Sequence, residues 1–174
     1  MLEKIGRRIA NYLTQPAKGF MPLATGNPDA FARTLRPGDV VLVEGNTRVA
    51  TAINYLTQST WSHACLYVGP IQGRTEPDGE PHAMIEADMD QGVISIPVSK
   101  YAHAHTRICR PVGVSMSDVE QVCEFGRSRI GYAYDLSNFF DLFRYFMPIP
   151  PVPTRLRRRL LAFGAGEPTR AICS

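Results

Sequence analysis

The chain carries the residue types that together can break an acyl bond: a histidine, a carboxylate and several thiols. His63 stands at the entrance of "HACLYVG", where the apolar run Ala64 to Val68 ends at Gly69 and Pro70. Such a run reads as a buried strand closed by turn residues. A histidine there loses water and must find a partner or act as a base. Taken alone, a structural histidine with a satisfied partner is the plainer account. Glu86 lies in "AMIEAD", a second apolar strand, where an unpaired charge is expensive or forces the carboxyl pKa upward. Two strands that each hold one misplaced polar group are explained together if those groups meet, although an edge-strand Glu86 facing water would also fit. Cysteine-dependent acyl transfer needs this set: a thiolate, an imidazole beside it and a group that orients the imidazole.

Four cysteines are available, Cys65, Cys109, Cys123 and Cys173, and none forms a C-x-x-C pair, which argues against a zinc ribbon or a thioredoxin motif. Cys65 shares a strand face with His63. At i, i+2 spacing, though, thiol and imidazole are usually too far apart for a direct hydrogen bond, and a strand offers no helix dipole. Cys65 is therefore read as a core residue near the site and as the rival nucleophile. His103 and His105 alternate along a further expected strand and could meet Cys109 or His82 around a metal, but two exposed histidines explain them as well. No metal and no organic cofactor is expected.

Length and composition bound the rest. The 174 residues suit one domain able to bury a core. At 44% hydrophobic and 20% charged residues, the composition excludes collagen-like and disordered classes. A net charge of +3 is too mild to imply nucleic acid, and none is expected as a partner. Positive charge concentrates in "RLRRRL", residues 155 to 160. The N-terminus lacks an uninterrupted apolar h-region, and no 18-residue apolar run occurs. The reading is a cytoplasmic protein with reduced thiols, open to a peripheral membrane location.

The elements that must position these groups follow from periodicity. Leu2, Ile5, Ile9, Tyr12 and Leu13 recur at helical spacing and predict an amphipathic N-terminal helix. Residues 15 to 36, rich in Pro, Gly and Ala, read as a loop, so 1–35 forms a helix and linker ahead of a domain spanning 36–174. Strands are expected near 40–44, 62–68, 82–88, 92–97 and 105–110, with a short helix over 47–58. Ser117 to Glu120 has the form of a capping box, opening a helix over 117–130 with Val119, Val122, Cys123 and Ile130 as its buried stripe. An aromatic helix from Leu136, the breaker "MPIPPVP" and the basic run complete the chain. The fold class is α+β, with a small antiparallel sheet packed on helices.

"RPGDVVLVEG", "WSHACLYVG", "MIEAD", "IGYAYD" and "ICS", in this order, resemble the YiiX/YebB-like family, circularly permuted relatives of NlpC-type papain-fold cysteine peptidases and amidases. The resemblance covers roughly residues 36 to 174. It implies a permuted papain-like fold in which the sheet comes first and the cysteine last. By position, His63 would be the base, Glu86 its orienting residue and Cys173 the nucleophile. In that family the cysteine opens a helix, usually as C-S-x-L, and a helix N-terminus with an imidazolium beside it lowers a thiol pKa. Here only Ser174 follows Cys173. The expectation is that the natural protein continues, and that the 174-residue form holds His63 and Glu86 in place while Cys173 lacks its helix.

The function expected on this basis is cleavage of an amide or ester acyl bond through a thioester, by a Cys173-His63-Glu86 triad. The substrate would be a small-molecule, peptide or lipid acyl compound, contacted by Trp61, Ser62 and Tyr134. Arg155, Arg157, Arg158 and Arg159 would meet anionic lipid or an acidic part of the substrate. A lipid acyltransferase or phospholipase of the same fold is the alternative enzyme. A membrane-associated binding module without a working thiol is the alternative outside enzymology.

Overall fold

The computed structural model describes residues 15–16, 27–134 and 170–171. The expected N-terminal helix, the aromatic helix from 136, the basic run 155–160 and Cys173 lie outside the described residues.

Five short strands form one antiparallel sheet: β1 (Val40–Val43), β2 (His63–Tyr67), β3 (His82–Asp88), β4 (Gly92–Pro97) and β5 (Thr106–Cys109), in the spatial order β4-β3-β2-β1-β5. Strand alternation sends successive side chains to opposite faces, and both faces here are apolar. One face holds Val41, Val43, Cys65, Met84 and Ile96. It is covered by Phe31 of helix α1 (Pro28–Thr34) and by Val98 and Tyr101 of a 3-10 turn, Val98–Tyr101. The other face holds Ile85 and Val93 and packs against Cys123, Val119 and Ile130 in and just after helix α3 (Met116–Ser128). Helix α2 (Arg48–Thr57) fills the connection between β1 and β2, capped by the Thr47 side chain on Ala50 N–H. A parallel pair, β6 (Ala133–Tyr134) and β7 (Arg170–Ala171), lies beside β4. The α+β class is that of the molecule, one antiparallel sheet packed on helices.

The "RPGD" turn into β1 is held from both ends. The Asp39 carboxylate accepts Arg36 N–H at 2.8 Å and takes two bonds from Arg110, to Oδ1 at 2.8 Å and to Oδ2 at 2.7 Å. A buried carboxylate needs such pairing. Burial pushes the Asp39 carboxyl up, the Arg110 and Arg36 contacts pull it down further, and it ends below the ordinary range. Gly38, at φ +89°, turns the chain so closely under α3 that an added Cβ would sit 2.7 Å from Val119 Cγ1.

Three expectations are corrected here. The segment read as a loop over 15–36 contains α1, because Asn27 accepts Asp29 and Ala30 N–H while Pro28 and Asp29 begin the helix; the overall Pro/Gly content obscured that start signal. The capping box is Ser115 with Asp118, not Ser117 with Glu120. The cap thus lies two residues earlier than read and helix α3 begins one residue earlier, and Val122 is 50% exposed instead of buried. His103 is not on a strand. It lies exposed after the 3-10 turn, ahead of β5.

Candidate active site

The register between β2 and β3 sets Cys65 directly opposite Glu86, and His63, two residues back along β2, points to the same face. The three side chains therefore converge. His63 Nε2 lies 2.9 Å from Glu86 Oε2, and the Cys65 thiol donates to the same oxygen at 3.5 Å. An imidazole nitrogen, the sulfur and a carboxylate oxygen all lie within 4.8 Å of one another. Among the described residues, this is the group that could hold a metal ion.

Glu86 is 2% exposed at its side chain and His63 22%, so the carboxylate lies beneath and the imidazole at the opening. The 3-10 turn supplies two more donors. Lys100 Nζ pairs with Glu86 Oε1, and Tyr101 O–H donates to Oε2 at 2.7 Å. Burial works to raise the Glu86 carboxyl, but hydrogen bonds from His63, Lys100 and Tyr101 overcome it and hold the group down to about 2. Glu86 is thus an anion under the imidazole at neutral pH. Burial and the adjacent Glu86 charge push the Tyr101 hydroxyl well above its ordinary value, so it stays a donor. Burial raises the Cys65 thiol; His63 opposes that rise without reversing it. Cys65 is a protonated core thiol.

The remaining expected residues fall in different places. Ser62 Oγ accepts Gly45 N–H at 2.9 Å, tying the end of β1 to the start of β2. The Trp61 ring stands 4.9 Å from that of His105, which bonds Glu44 Oε2 at 2.8 Å. Tyr134 ends β6 opposite Ala171, and Cys173 follows two positions later, outside the described residues, as do Arg155, Arg157, Arg158 and Arg159. The histidines weighed for a metal are dispersed: His105 bonds Glu44, and His82 bonds Ser95 Oγ and Glu76 at 2.9 Å each. Lys100 and Tyr101 were missed by sequence reasoning. A Lys-Tyr pair after a strand is an ordinary surface pattern, and only the fold of the 3-10 turn directs both onto Glu86.

Comparison with known families decides the lineage. A family model described as permuted papain-like amidase enzyme, YaeF/YiiX, C92 family, matches residues 34–146. The chain belongs to this family. No curated protein and no solved structure matches the chain. The matched span of the permuted papain-like amidases begins just ahead of β1 and contains the whole five-stranded sheet, His63 and Glu86. Cys173 lies beyond the matched span.

Proposed function

We propose that the protein is a cysteine hydrolase that cleaves an amide or ester acyl bond, with His63 as base, Glu86 as the group that orients it and Cys173 as nucleophile. The observation that carries the reading is the 2.9 Å contact between His63 Nε2 and a buried, anionic Glu86. An anion fixed on one ring nitrogen selects the tautomer and steadies the imidazolium that forms when the other nitrogen takes the thiol proton. The thiolate then attacks the acyl carbonyl, the imidazolium protonates the leaving amine or alcohol, and water releases the acid from the thioester. Backbone N–H at Cys173 would donate to the oxyanion. Family membership in an amidase class and the pairing of β7 with β6 beside β4, two residues before Cys173, support the assignment.

Cys65 is set aside as nucleophile because its thiol is buried, raised in pKa and directed at a carboxylate. The substrate is taken to be an acyl amide or ester of small-molecule, peptide or lipid origin. For the arginine run 155–160 we propose contact with an anionic surface, tested by sedimentation of the full-length protein with anionic against neutral vesicles. Among the described residues no helix is long and apolar enough to cross a membrane.

The test is hydrolysis of a panel of chromogenic acyl amides and esters by the full-length protein and by His63→Ala and Cys173→Ala variants. Loss of about 100-fold or more in kcat/KM in both variants is expected. Unchanged turnover in Cys173→Ala would remove the thiol mechanism.

A further inference from the structure

We propose that His63, Cys65 and Glu86 form a site for a thiophilic divalent transition metal ion, Zn2+ above all, and that its occupation switches hydrolysis off. The binding half stands on geometry alone. The inhibitory half rests on the function proposed for His63.

Zinc takes imidazole nitrogen, thiolate sulfur and carboxylate oxygen at roughly 2.0 to 2.3 Å in tetrahedral array, which sets the ligand atoms about 3.3 to 3.7 Å apart. Here Glu86 Oε2 lies 2.9 Å from His63 Nε2 and 3.5 Å from Cys65 Sγ, with all three groups inside 4.8 Å. Small side-chain rotations that bring the imidazole and the sulfur, now within 4.8 Å, into that range open a three-ligand pocket with a fourth position for water. All three ligands stand on neighbouring paired strands, β2 and β3, so the spacing is fixed by the sheet. Lys100 and Tyr101 already bond the Glu86 carboxylate, as outer groups commonly do around a metal-ligating carboxylate. Sulfur with imidazole selects zinc-like ions over magnesium and calcium. The exposed part of His63 gives the ion its way in.

Nothing in the hydrolytic mechanism uses Cys65, yet it shares the polar cluster. Binding replaces its proton: the thiol and M2+ give the metal thiolate and one released H+. With Nε2 bound to the ion, the ring proton that faced Glu86 is carried on Nδ1, so His63 no longer accepts the proton of Cys173. The consequence is reversible inhibition by an ion that is no part of catalysis.

The test uses Co2+ as a spectroscopic probe of the purified full-length protein, followed by displacement with Zn2+. One equivalent should produce a thiolate-to-cobalt charge-transfer band with tetrahedral d–d absorption. Zn2+ should abolish it. The band should be lost in Cys65→Ala and kept in Cys173→Ala, and Co2+ affinity should fall at least about tenfold in His63→Ala and in Tyr101→Phe. Because Cys65 is in the core, Cys65→Ala is read only when its circular dichroism matches the parent. His63→Ala, partly exposed, carries the test otherwise. Absence of the band in the parent overturns the proposal, as does a band that survives in Cys65→Ala or is unchanged in His63→Ala. Zn2+ should inhibit the parent, and Cys65→Ala should need at least about tenfold more of it for the same inhibition. A band without any hydrolysis sustains the metal site and defeats the proposed function. Hydrolysis without a band does the reverse.

Discussion

At the scale of residues, Glu86 is the pivot, since its two oxygens serve His63, Cys65, Lys100 and Tyr101. Glu86→Gln keeps the shape but places an amide N–H2 against groups that all donate. A misaligned, uncharged partner leaves His63 without its orienting anion, and kcat/KM should drop about 100-fold or more with KM little changed. A drop confined to KM would instead point to a role in substrate binding. Stability carries a second signature. The folded carboxyl is held at about 2 against an ordinary 4.5, so its contribution is complete above about 4.5 and drains as pH falls through about 2. Urea midpoints of the parent should therefore fall more steeply than those of Glu86→Gln across that window. Parallel curves would mean that Glu86 is not depressed on folding.

At the scale of elements, the sheet was legible because short apolar runs bounded by Gly, Pro and Asp name their own ends, and all five strands fall within two residues of their expected places. The meeting of His63 and Glu86 was legible for a related reason: each is a polar group in an apolar run, and burial demands a partner. What escaped was set by contacts distant in sequence or by local caps. Lys100 and Tyr101 reach Glu86 only through the turn after β4, and of two serines with an acid three residues on, Ser115 with Asp118 forms the cap. Closeness of Cys65 to the pair also needed the register of β2 on β3. The turn into β1 offers the sharpest test of packing. Gly38→Ala forces a side chain into the left-handed region and against Val119 Cγ1, 2.7 Å away. It should cost about 1–3 kcal/mol, seen as a lower urea midpoint with an unchanged m-value. A neutral result would mean that α3 sits further from the turn.

At the scale of the whole molecule, the proposed function makes the sheet a receptor for a nucleophile supplied from the other end of the chain. His63 and its buried anion are set in β2 and β3, while β7 returns the chain to β6 just before Cys173. This arrangement predicts a division of labour among thiols. Cys65 and Cys123 are buried, with pKa values raised by burial, whereas Cys173 should be activated by the imidazole. The most direct measurement is the pH dependence of alkylation at each cysteine of the full-length protein, read by mass spectrometry. Cys173 should react fastest, with its midpoint well below the free-thiol value of about 8.5, and His63→Ala should return that midpoint to the ordinary range. Fast alkylation of Cys65, or a Cys173 midpoint indifferent to His63, would contradict the account.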